Sequence, residues 1–332
     1  MGQTLSHLLP IRSKKPRNNS SRSLRSQELL SVGTEVSTFN DDTSISNKVI
    51  EEATSDEQVT TSWVGETLKA YLWEPGHMEK QRVQEQYQTI KMLFNDRYHF
   101  GPTQQLTIKG AKILDVGCGD VSWAMDMAEE FPEAEIHIVD IGGLYPASGL
   151  PNNIQVHAYD VDDALPFPDN HFDYVHQALM CLHIKEDNWP QVINECVRVA
   201  KKDAVIELIE VDIYVNAPGP ITDTIFIAFS FVLRSRGIMP SIARKLKQLL
   251  EESNVRDVLY EVVNAPLGDH GGPAGTRWKT NHHILVEGGT PFFGKLLNLD
   301  VNEMREREAQ VLREFEEYHS YQNIFVFYGF KR

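Results

Sequence analysis

The chain has 332 residues, 41% of them hydrophobic and 24% charged, a globular composition long enough for one large domain or two ordinary ones. Its formal net charge of −15 argues against a nucleic-acid substrate, because such affinity rests largely on neutralising phosphates. Its three cysteines, Cys118, Cys181 and Cys196, lack CxxC spacing and leave an odd number, so a disulfide framework and a zinc cage are both poorly supported and a reducing, cytoplasmic setting fits.

Charge is placed unevenly. Residues 1–27 carry Arg12, Lys14, Lys15, Arg17, Arg22 and Arg25 and no acid, and taking those six from the total leaves −21 on the remainder. The opening "MGQTLS" matches the N-myristoylation pattern through Gly2 and Ser6. One myristoyl chain binds membranes only marginally, and the basic stretch that follows would act as the second signal for a peripheral membrane contact. A mitochondrial transit peptide is the weaker reading, since Pro10 and Pro16 interrupt an amphipathic helix, and a plain disordered tail is the third. From residue 20 to 61 the chain is polar and aperiodic, which reads as linker. The expected division is therefore a tail over 1–61 and one domain over 62–332, ordered from about Trp63.

Within the domain, "HMEKQRVQEQYQTIKMLF" (77–94) is rich in helix formers and repeats Val83, Tyr87, Ile90 and Phe94 at helical spacing. Strands are expected at 112–117, 135–141, 154–161, 172–177, 203–212, 259–267 and 323–330, and helices at 121–130, 188–199 and in a helical insertion over about 221–252. "IFIAFSFVL" (225–233) in that insertion is about half the length that crosses a bilayer and reads as a buried helix. The first five strands alternate with helices or short crossovers, the pattern of a parallel sheet covered on both faces. The acidic segment from 301 places Met304, Val311, Phe315 and Tyr318 near one helical face, read as a surface helix packed on the sheet.

The informative stretch is "LDVGCGD". Gly117 and Gly119 permit a tight turn after the first strand, where open α/β sheets bind ligands. GK[ST] is absent, and Ser122 stands where a dinucleotide loop needs its third glycine. Asp115 would sit badly near a pyrophosphate and suits a cationic group. Asp140, closing the second strand, suits ribose hydroxyls, and Asp160, near the end of the third, suits an adenine amino group. A cofactor with adenine, ribose and a cationic amino-acid tail fits all three: S-adenosylmethionine.

With "ILDVGCGD", "IVDI", "AYDVDDALPFPDNHFDYV" and "ELIEVD" in succession, the sequence resembles class I S-adenosylmethionine-dependent methyltransferases, of the fungal small-molecule type related to secondary-metabolism regulators. The likeness runs from about Tyr71 onward and includes the helix with Arg82 and Gln86. It implies a Rossmann-like, seven-stranded, mostly parallel sheet with its last strand antiparallel and helices on both faces. It implies that Gly117 and Gly119 line the methionyl moiety, Asp140 the ribose and Asp160 the adenine edge. Asp115, Cys118, Val161 and Gln177 complete the expected cofactor set. Val121 departs from the glycine common in that family, and the isopropyl group is tolerable there if its φ is negative.

Methyl transfer is an in-line displacement, so positioning supplies much of the catalysis, and a base is needed only for an acceptor that must lose a proton. His176 and His183, after the fourth strand, are the candidates. The missing [DN]-P-P-[YF] and the body's charge exclude base methylation of nucleic acid, and the apolar 221–240 stretch favours a mostly apolar small-molecule acceptor. The alternative is a cofactor-binding regulatory or scaffold protein without transfer activity. "LGDHGG" and "TNHHIL" offer Asp269, His270, His282 and His283, read as polar loop and pocket residues, not metal ligands, because adjacent histidines point apart.

Overall fold

The computed structural model describes residues 77–141, 144–146 and 148–332. The basic tail, its myristoylation pattern, the linker and the expected onset of order near Trp63 lie outside the described residues. Helix α1 (His77–Leu93) precedes the alternating segment: β1 (Lys112–Val116), α2 (Ser122–Glu130), β2 (Glu135–Asp140), β3 (Ile154–Ala158), β4 (Phe172–Ala178), α3 (Trp189–Val199) and β5 (Ala200–Val211). Then come α4 (Pro220–Ser235), α5 (Leu246–Glu252), β6 (Val255–Pro266), α6 (Gly272–Leu297), α7 (Val301–Glu317) and β7 (Tyr321–Lys331). All seven expected strands are present in one sheet, in the order β3-β2-β1-β4-β5-β7-β6. β1 to β5 pair in parallel, and β7 runs antiparallel to both β5 and β6.

Both faces of the central strands β1, β2, β4 and β5 are buried, while the edge strands β3 and β6 are largely exposed, and strand alternation divides the two faces. Ile113 and Tyr174 pack with Trp123, Ala124 and Met127 of α2, while Leu114, Val116 and Val175 pack with α3. α3 shows why the sequence folds so: Pro190 sits in its first turn, where the missing N–H costs nothing. Trp189, Val192, Ile193, Cys196 and Val197 then recur on one buried face. Each fully buried aliphatic side chain contributes about 1.5–3 kcal/mol.

Two expectations are corrected. His282 and His283, read as polar loop and pocket residues, lie within a 26-residue helix (272–297) packed along α1 and joined to it by Arg277–Glu85 at 2.6 Å. α7 has its main contacts with α4 and α6 instead of the sheet, and Tyr318 lies past its end, exposed. Glu314 of α7 accepts the backbone N–H groups of Ile221 and Thr222, satisfying donors that the start of α4 leaves open. Among the described residues no helix is long and apolar enough to cross a membrane.

Candidate active site

The sheet order reverses direction between β1 and β4, and a cavity of about 360 Å3 opens there beyond the strand ends. The turn joining β1 to α2 forms its floor. Gly117 has φ +72° and Gly119 φ +55°, conformations in which a side chain is strained. A Cβ at Gly117 would stand 2.4 Å from the Met180 sulfur, so the glycine also permits that close packing. The Gly119 N–H donates to Asp140 Oδ2 at 3.1 Å, tying the turn to the end of β2.

Val121 does not have the negative φ expected of it: its φ is +67°, the left-handed region, as the N-cap of α2. For a β-branched residue this costs roughly 1–2 kcal/mol. Burial offsets the cost, because the isopropyl group is 3% exposed and packed with Trp123 and Ala124. It faces the core, away from the cavity lining, so it does not crowd a ligand.

Asp115, Cys118, Asp140, Asp160 and Val161 all line the cavity. Asp160 lies beyond the end of β3, in a turn where its carboxylate accepts the Asp162 N–H at 3.0 Å. Burial, with Asp140 and Asp120 pushing the same way and His176 opposing, raises the Asp115 carboxyl to about 7. A cationic ligand group would restore its charge. Burial pushes the Cys118 thiol up, so it is a neutral wall residue. Gln177 is not in the cavity: it follows His176 on β4, faces the other side of the sheet, and is buried with its amide unpartnered among the described residues.

His176 and His183 both reach the cavity, in different settings. His176 is buried within the sheet. His183 lies on a turn after β4, where burial and then the charge of Arg82 lower its pKa to about 4, so it is a neutral imidazole at neutral pH. The acids and histidines of the later segments serve elsewhere. His282 is buried and bonded to Gln322 at 2.8 Å, while exposed His283 meets Glu308, so the neighbours do point apart. Asp269 pairs with Lys279, and His270 with Glu316.

The resemblance includes the helix with Arg82, but the sequence does not place Glu79 and Arg82 in the cavity wall. Glu79 and Arg82 form a buried ion pair with two 2.6 Å bonds, and Arg82 also reaches Asn281 of α6 at 3.5 Å. The i,i+3 spacing of that pair was the available signal, but exposed helix pairs look identical in sequence.

The donor set fits S-adenosylmethionine: carboxylates for a cationic tail and ribose, a glycine turn admitting close approach, and apolar walls. Residues 113–203 match the family described as a methyltransferase domain. The methyltransferase str3 of Strobilurus tenacellus is 29% identical over 161 residues, which cover 47% of this chain and 57% of that protein. The secondary metabolism regulator laeA of Aspergillus flavus is 21% identical over 235 residues, covering 66% and 63%. The phosphoethanolamine N-methyltransferase 2 of Haemonchus contortus, solved with S-adenosyl-L-methionine, superposes with a TM-score of 0.45 at 17% identity, covering 75% of this chain and 52% of that one. The chain spans about half to two thirds of the length of the curated relatives it matches. By its matched segment and its strand order, the chain has a Rossmann-like methyltransferase fold and resembles S-adenosylmethionine-dependent methyltransferases, with relatives among fungal secondary-metabolism proteins.

Proposed function

We propose that the protein transfers a methyl group from S-adenosylmethionine to a small, mostly apolar molecule. One observation carries this reading: the acid-lined glycine turn opens into a cavity whose other walls are largely apolar, among them Ile90, Leu179, Met180 and Ile209. When bound, the cofactor supplies an electrophilic methyl group. Asp115 and Asp140 hold its charged and ribose ends, and α1 and the segment after β4 exclude water from the reacting face. His183 is the candidate general base. As a neutral imidazole it accepts the acceptor's proton, with the Arg82 charge nearby to favour the developing anion. No nucleic acid takes part.

The test is calorimetric titration with S-adenosylmethionine and S-adenosylhomocysteine, with Asp140→Ala as control, followed by turnover against a metabolite panel. Micromolar binding, about −8 kcal/mol, that is lost in the control is the expected result. No binding at millimolar ligand would overturn it. A second reading, a regulator that binds cofactor without transfer, is favoured by the match to proteins named secondary metabolism regulators. Binding without turnover on the panel would support it. The N-terminal pattern adds a peripheral membrane contact, which mass spectrometry would remove by showing Gly2 unmodified after expression in a eukaryotic host.

A further inference from the structure

Three residues in register cross the sheet beneath the cofactor turn: Asp115 on β1 is paired with His176 on β4, and His176 with Glu207 on β5. All three are buried. Glu207 is a hub. Its Oε2 accepts the Phe100 and Gly101 N–H groups at 2.6 and 2.9 Å and the Tyr174 hydroxyl at 2.6 Å, and its Oε1 lies 3.0 Å from His176 Nδ1. Burial alone would raise this carboxyl, but the bonds from His176, Tyr174 and Gly101 outweigh it and hold the group below its ordinary value. A carboxylate only accepts, so His176 Nδ1 carries a proton. The imidazole plane lies flat on Trp123, 3.9 Å between centroids and 5° from parallel, at the start of α2. Trp123 in turn donates to the Tyr98 carbonyl at 2.7 Å.

We propose that Glu207 and His176 are positioning residues of the cofactor site: Glu207 fixes the imidazole, which seats Trp123 behind the turn and holds a proton-bearing ring beside Asp115. The proposal rests on the cofactor reading given above. A carboxylate in this setting is hard to keep ionised, since the titratable groups facing Asp115 are Tyr87 of α1, Cys118 and Asp120 of the turn, Asp140 of β2 and His176 of β4. Among the described residues His176 is the member of that set that favours the charged form, which a cationic ligand needs.

The experiment titrates S-adenosylhomocysteine, which keeps the amino-acid ammonium, into wild type, Glu207→Gln and His176→Phe at pH values from about 6 to 8.5, with thermal unfolding to verify folding. His176→Phe keeps an aromatic ring on Trp123 while removing the ring nitrogens and their bond to Glu207, so it carries the test alone should Glu207→Gln fail to fold. In wild type, affinity is expected to rise with pH through about 7. In both variants it is expected to fall about tenfold at neutral pH, with the rise displaced to higher pH. Unchanged affinity and profile would overturn the proposal. A loss equal at every pH would also overturn it, because disruption of the turn and not charge at Asp115 would then be the cause. Wild-type protein that binds no S-adenosylhomocysteine would defeat the cofactor reading itself, and the proposal with it.

Discussion

Two backbone corners meet at the site, one after β1 and one after β4, and both hold a bulky residue in the left-handed region: Val121 at φ +67° and Leu179 at φ +56°. They are kept there by different means. The first corner is largely local, with one side-chain tie to Asp140: two glycines relax it, Val121 N–H bonds the Cys118 carbonyl at 3.1 Å, and the side chain drops into core. The second is held from a distance. Glu210 of β5, fully buried, accepts the Met180 N–H at 2.6 Å and the Cys181 N–H at 3.1 Å, capping the single turn in which His183 and Ile184 bond back to the Met180 carbonyl. A local corner announces itself by composition. A remotely held one depends on a residue about thirty positions away.

The sharpest way to break this contrast is Glu210→Ala. It leaves the Met180 and Cys181 N–H groups without their carboxylate and is expected to cost roughly 2–5 kcal/mol in urea unfolding, with Glu210→Gln recovering only part, because its amide offers one acceptor oxygen to two donors. Glycine 117 comes next. Gly117→Ala imposes a left-handed alanine and displaces Met180, so a stability loss of about 1–2 kcal/mol and about tenfold weaker S-adenosylhomocysteine binding are expected by calorimetry.

A pH series then separates the corners by sign. Burial raises Glu210 to about 8 from its ordinary 4.5, so the folded state holds its proton where the unfolded chain has released it. Stability from this group is greatest below 4.5 and is lost as pH rises through 4.5 to 8. Glu210→Gln should flatten that decline in a thermal-unfolding series, whereas Gly117→Ala should leave it in place. The smallest effect belongs to Val121→Gly. Relief of roughly 1–2 kcal/mol of strain is set against the lost burial of about 1.5–3 kcal/mol, and a net loss on the order of 1 kcal/mol in urea unfolding is expected. A gain instead would mean that the core gives Val121 little.

The sequence was most legible where one period or one residue type decides the structure. Val and Ile runs with turn residues between them marked every strand, and Gly117, Gly119, Asp115 and Asp140 marked the cofactor corner. α6 was hidden because Gly288, Gly289 and the pair His282–His283 weaken its apparent propensity, and packing along α1 overrides that weakness. The positive φ of Val121 is not legible in the sequence, because a side chain's preference yields when the glycines before it set the path of the turn. Gln177 was assigned to the site by proximity in sequence, yet strand alternation turns it away from its neighbour His176. "ELIEVD" was noticed as a motif, but which loops Glu207 and Glu210 hold is a tertiary fact that spacing does not encode.

The place of β7 has a consequence for biosynthesis. It is the last of this sheet's seven strands in chain order, yet it lies between β5 and β6 and carries Gln322, which accepts from Trp278 Nε1 at 3.0 Å and donates to the Ile213 carbonyl. Until Tyr321–Lys331 has left the ribosome, β5 presents one open edge and β6 has no partner in the sheet. Nascent chains must therefore carry an exposed β5 edge while residues 212–331 are made, a period in which they depend on shielding from one another. Deleting this strand alone would spare every residue lining the cavity and still prevent the sheet from closing.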